Sequence, residues 1–246
     1  MTHTGAAVTA LAFAMTSLAW ADVSTTLSGS TLLITGDDSA DGIRIESASD
    51  GVLVVGVDGT LVDGTTESVT IPGVQRLTVE LGKGGDHLTI QELDLAKRLD
   101  VRTGSGRDRV VLDGVRAGWT RIVTDGGHDR VSVNGFSRFR HLTVESGGGN
   151  DVVLVDDVWV PKDLNVYSAS GYDDVEIVDT DVGNDLDVHL GDDDDDVVLA
   201  DVTIDDDTHL DGGDGDDVAF FYGHVWCGDS LDLDGFGDDG WWWFGW

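Results

Sequence analysis

The sequence predicts an all-β chain folded as a single-domain parallel β-helix, a β-solenoid of about eight coils of ~22 residues. Three observations lead there. Asp86, Asp108, Asp129, Asp151, Asp173, Asp195 and Asp217 recur at spacings of 21 or 22 residues. Columns read relative to those aspartates are apolar: Leu88, Val110, Val131, Val153, Val175, Val197 and Ala219 stand two after, and Ile90, Leu112, Val133, Val155, Ile177, Leu199 and Phe221 stand four after. Inside the repeat region apolar residues alternate with period two, and no helical period competes.

Each unit reads as strand, Gly/Asp turn, strand, turn and short strand. The columns seven and nine before the Asp, such as Val101 and Leu99, and the column seven after it, Leu93, Val115, Phe136, Val158, Thr180, Val202 and His224, complete the inward set. Over the five columns 31 of 35 positions are apolar, against 40% for the whole chain, so they read as core ladders. One unit cannot bury its apolar face alone. Stacking units at about 4.8 Å closes a core and pairs each strand with its equivalent in the next coil. Parallel crossovers imply a right-handed path.

In chain order, residues 1–21 resemble an export signal: an apolar run from Ala6 to Ala19, then Ala19-Trp20-Ala21 as a cleavage site. The stretch 22–75 reads as an N-terminal coil, with Leu32, Ile34, Asp41, Ile43 and Ile45 on the repeat template, followed by a hairpin turning at Asp58-Gly59 that caps the open edge. Residues 76–226 are the regular repeats, and 227–246 are a C-terminal cap with an aromatic tail, Trp241-Trp242-Trp243-Phe244-Gly245-Trp246. No other segment reaches the ~18 apolar residues of a membrane span. The single cysteine, Cys227, excludes an internal disulfide framework.

The net charge of −34 is unevenly placed. Twelve of the fourteen basic residues lie between Arg76 and Arg140, whereas from Glu145 onward 30 acidic residues face Lys162 alone. Stacked in register, the Asp column sets like charges about 5 Å apart. In the early coils Arg107, Arg109, His128 and Arg130 flank it; in the later coils the neighbours are themselves acidic. Cations from solution are the natural counter-charge there. Oxygen-rich sites of this kind suit Ca²⁺ rather than a transition metal, and the candidate ligands are Asp151, Asp173, Asp174, Asp195, Asp196 and Asp217. The histidines fall in different columns and are read as surface or edge residues.

The turns Gly82-Lys83-Gly84-Gly85-Asp86, Gly104-Ser105-Gly106-Arg107-Asp108, Gly147-Gly148-Gly149-Asn150-Asp151 and Gly213-Asp214-Gly215-Asp216-Asp217 carry glycine four and two before the Asp. With Gly212 in front, the last resembles the nonapeptide of RTX (haemolysin-type) calcium-binding repeats. The resemblance implies turns whose carbonyls, with the Asp, cage calcium between coils. Here, however, each coil holds one such turn in ~22 residues, where the family places two in ~18.

No repeat carries an insertion long enough to wall a cleft, and no Gly-x-Ser-x-Gly, His-Glu-x-x-His or phosphate-cradling Gly-Lys-Ser/Thr motif occurs. The charge disfavours nucleic acid. The expectation is an exported, non-catalytic, calcium-binding solenoid, secreted or at the cell surface or in the periplasm, acting as a structural or adhesion-type element beside surface glycans or proteins. A carbohydrate-active β-helix enzyme of pectate-lyase-like type, or a glycan-binding module, using the arginine-rich early coils or the terminal tryptophans, is the alternative.

Overall fold

In a strand such as Arg98–Gly106, Leu99 and Val101 are buried while Arg98 and Arg102 are exposed, because successive side chains of an extended chain point to opposite faces. The next coil presents Thr120 and Ile122 to the same core, and Leu99 lies beside Thr120 and Val101 beside Ile122 in parallel register. This repetition builds a parallel solenoid of about seven turns at ~22-residue spacing. The structure is a computed structural model that describes the backbone of residues 21–244 and the side chains of residues 21–237; among these residues there is no helix.

Three ladders run along the solenoid. The first stacks strands such as Arg76–Lys83, Arg98–Gly106, Leu164–Ser170, Leu186–Asp192 and Asp207–Asp214. The second stacks His87–Gln91, Arg109–Asp113, Arg130–Asn134, Val152–Asp156 and Asp174–Val178. The third is short and includes Val158–Val160 and Asp181–Val182. Each ladder contributes fully buried aliphatic rows to one continuous core.

Between the second and third ladders the chain turns through a left-handed residue in every coil: Glu92, Gly114, Gly135, Asp157, Asp179, Asp201 and Gly223 all have φ between 45° and 71°. Aspartate tolerates this conformation better than most residues, which explains its recurrence in the column. In one coil Phe136 follows Gly135 with φ 58°, an extra residue that bulges outward.

That bulge corrects one of the expected core positions. Phe136 is 78% exposed, and Ser137 fills the inward slot; its hydroxyl accepts the Val115 N–H at 2.9 Å and donates to the Asn134 carbonyl at 2.5 Å. Near the C-terminus a register shift turns His224 out and places Val225 opposite Val202.

The N-terminal edge also departs from the expected hairpin. Gly51–Val57 pairs antiparallel with the preceding strand Gly42–Ala48, so the reversal is at Ser49-Asp50. The turn at Asp58-Gly59 exists, but the strand after it, Leu61–Val62, lies parallel to Asp22–Ser28. At the other end Phe236–Phe244 adds a further parallel rung, with Ala219 beside Trp241 and Phe221 beside Trp243. The expected export segment lies outside the described residues except for Ala21, as do Gly245 and Trp246. No described helix is long and apolar enough to cross a membrane.

Candidate functional site

The aspartate column stands at the corner between the first and second ladders, immediately before each second-ladder strand. Because the Asp shares strand parity with the apolar residues two and four after it, it points inward. Asp41, Asp86, Asp108, Asp129, Asp151, Asp173, Asp195 and Asp217 are each between 1% and 3% exposed. The column whose charge was expected to be met by cations from solution is a buried carboxylate ladder.

One oxygen of every carboxylate is bound in a repeating way. The backbone N–H of Asp86 donates to Oδ1 of Asp108 at 2.8 Å, that of Asp108 to Asp129 at 2.7 Å, that of Asp151 to Asp173 at 2.8 Å, and that of Asp195 to Asp217 at 2.9 Å. Asp41, Asp129 and Asp173 donate in the same manner to Asp86, Asp151 and Asp195. The Oδ2 atoms of the seven repeat aspartates are buried without a hydrogen-bond partner.

A buried carboxylate with one satisfied oxygen holds its proton more tightly than one in water. Burial pushes Asp86, Asp173 and Asp195 up to about 7 from the usual 3.8; the N–H donor pulls back, and neighbouring carboxylates add to the rise. Burial likewise lifts Asp41 and Asp129 to about 6, and raises Asp108, Asp151 and Asp217. The hydroxyls of Thr103, Thr124 and Ser146 pull Asp108, Asp129 and Asp151 back down, although the Oδ2 atoms lack full hydrogen-bond geometry.

The glycine turns beside the ladder serve close stacking. A Cβ on Gly106 would lie 1.4 Å from the Gly84 carbonyl oxygen, and one on Gly149 would lie 1.4 Å from that of Gly127. Turn amides and carbonyls pair along the stack, Gly84 N–H to Ser105 O at 2.9 Å and Gly149 N–H to Ser170 O at 2.7 Å.

Of the expected metal ligands, Asp151, Asp173, Asp195 and Asp217 lie on the buried ladder, while Asp174 and Asp196 sit side by side on the outer face of the second ladder. Asp173 and Asp174 therefore face opposite sides of one strand, as do Asp195 and Asp196. The structure instead brings together two other groups, each with ligand atoms within 4.8 Å of one another: Asp185, Asp206 and Asp207, and Asp187, His189 and His209. Column reading missed the second group because its histidines occupy different columns. They are diagonal neighbours on one face of adjacent coils, as the pairing of Asp187 with His209 and of His189 with Asp211 shows.

A basic groove of about 480 Å³ lies over the third ladder, lined by Arg116, Arg138, Arg140 and Lys162 with Asp94 among others. Arg116 and Arg138 are register partners, and the Arg138 guanidinium lies 3.7 Å over the Trp159 ring. Among the described residues none of these four cations forms an ion pair.

No family model, curated protein or solved structure matches the chain. The fold and these three surfaces are what any functional reading rests on.

Proposed function

We propose that the chain is an exported, non-catalytic acidic solenoid, ordered in its C-terminal half by calcium and used as a structural or surface element. The observation that carries this reading is the convergence of Asp185, Asp206 and Asp207 in a region almost without cations. Register makes the convergence unavoidable, since the Asp207 N–H donates to Oδ1 of Asp185 at 3.2 Å across one coil. Desolvation and the carboxylates of Asp185 and Asp229 raise the proton affinity of Asp206. Three converging carboxylates offer hard oxygen ligands, with water completing the irregular shell that calcium accepts.

Thermal unfolding in excess EDTA, then with millimolar calcium, magnesium or sodium chloride at matched ionic strength, tests the reading. A ligand that binds only the folded state stabilises it by about 2.7 kcal/mol at a hundredfold excess over Kd. A calcium shift unmatched by the other salts and reduced in Asp206→Asn supports the reading; equal shifts with every salt indicate charge screening and remove it.

The basic groove favours a second reading, a module that binds anionic glycans. Four cations without carboxylate partners, beside an exposed tryptophan, suit carboxylate or sulfate groups on a sugar chain. Binding to a uronate oligosaccharide that is lost in Arg138→Ala, with a neutral oligosaccharide as control, distinguishes this reading from the first.

A further inference from the structure

We propose that Asp187, His189 and His209 form a site for a divalent transition-metal ion of the zinc class, separate in position and chemistry from the all-carboxylate group of Asp185, Asp206 and Asp207. The site lies on the outer face of the first ladder. Strands Leu186–Asp192 and Asp207–Asp214 pair in parallel, so that Asp187 stands opposite His209 and His189 opposite Asp211, forming a two-by-two square of side chains.

The atoms are arranged as ligands of one ion. Oδ1 of Asp187 lies 2.9 Å from Nε2 of His189, yet it is shielded from solvent and forms no hydrogen bond. Two ligand atoms held tetrahedrally at about 2.0–2.1 Å from a common ion stand about 3.3 Å apart, a small adjustment from the separation seen. The ligand atoms of all three residues lie within 4.8 Å of one another.

Asp187 and His189 are oriented from behind. The Tyr167 hydroxyl donates to Oδ2 of Asp187 at 3.2 Å, leaving Oδ1 for the ion. Nδ1 of His189 lies 3.2 Å from Oδ2 of Asp211; a proton shared there leaves the Nε2 lone pair toward Asp187. This is the carboxylate–histidine–metal arrangement, in which the carboxylate sets tautomer and ring angle. Nδ1 of His209 lies 3.8 Å from Oδ2 of the exposed Asp232, an electrostatic neighbour beyond hydrogen-bond distance. The two rings meet edge to face with centroids 5.2 Å apart.

The donor set selects the ion. Two imidazoles and one carboxylate suit zinc and its neighbours, whereas calcium takes oxygen ligands almost exclusively. Three protein ligands leave a fourth tetrahedral position for water, which the partial exposure of all three side chains permits. The competing account is an ion-pair network in which protonated histidines neutralise the surrounding aspartates without a metal.

The test is calorimetric titration of the full chain with zinc in millimolar calcium, together with the visible spectrum of the cobalt(II) form. One zinc per chain, retained in calcium, with tetrahedral cobalt bands, is the expected result. His189→Gln and His209→Gln should each weaken binding at least tenfold, Asp211→Asn should weaken it about 10- to 100-fold, and His141→Gln should leave it unchanged. Circular dichroism confirms that each variant is folded. Absence of zinc binding, displacement by calcium, an unchanged Kd in folded His189→Gln and His209→Gln, or loss in His141→Gln would each overturn the proposal.

Discussion

The amide N–H of Asp173 donates to Oδ1 of Asp195 at 2.7 Å across one coil, and Asp173 in turn accepts the N–H of Asp151 at 2.8 Å. Each ladder carboxylate is thus a backbone acceptor for the preceding coil, whether or not it carries a proton.

That role separates two substitutions. Asp173→Ala leaves the buried Asp151 N–H without a partner and should cost about 1–3 kcal/mol. Asp173→Asn keeps the acceptor oxygen and removes a buried charge, so at pH 8 it should cost less than Asp173→Ala. Urea unfolding of the two variants in EDTA checks the difference; equal losses would mean that the charge, rather than the acceptor, matters.

The ladder also sets a pH dependence whose sign is opposite to that of a salt-bridged aspartate. The folded values of Asp86, Asp173 and Asp195 stand near 7, above the ordinary 3.8, so folding favours bound protons. Their contribution to stability is complete below about pH 4, falls as the pH rises toward 7, and levels off above it. In EDTA the melting temperature should therefore be higher at pH 5 than at pH 8, by at least several °C at about 2–4 °C per kcal/mol for a chain of this size. Asp195→Asn should flatten that slope, and a melting temperature that rises from pH 5 to pH 8 would contradict it.

Glycine at the coil junction is required by close approach. Gly106 has φ 150° and no room for a Cβ against the Gly84 carbonyl, so Gly106→Ala should lose more than about 4 kcal/mol or fail to fold. Gly59 has φ 94° with open space around it, so Gly59→Ala should cost only the conformational penalty of about 1–2 kcal/mol. Chemical denaturation of the pair separates clash from backbone preference.

The outward bulge at Phe136 predicts a contrast with its neighbour. Phe136→Ser should change stability by no more than about 0.5 kcal/mol, whereas Phe139→Ala removes a fully buried ring and should cost about 3–5 kcal/mol. A large loss at Phe136 would mean that it occupies the core slot assigned to Ser137.

Much of the fold is legible in the sequence because a solenoid writes its contacts at a constant separation. Leu77 and Leu99, like Val79, Val101 and Ile122, repeat in sequence and stack in space. Legibility failed where one residue was gained or shifted: Phe136 and His224 keep their count from the Asp but lie beside a bulge and a register shift, respectively. The orientation of the ladder was available but unread, since Asp173 shares parity with Val175 and Ile177. Charge suggested solvent, and burial was decided by backbone N–H donors that a residue count does not reveal.

The sequence by itself determined the coil length, the stacking register and the inward rows, because apolar spacing alone specifies which residues share a face. Only the tertiary structure decided that the aspartates are buried and bind protons more tightly than in water, that Asp173 and Asp174 part company across a strand, and that His189 meets His209. Those outcomes depend on how adjacent coils sit against each other, with desolvation set by the walls of the corner and ligand geometry set by diagonal neighbours about 20 residues apart in the chain.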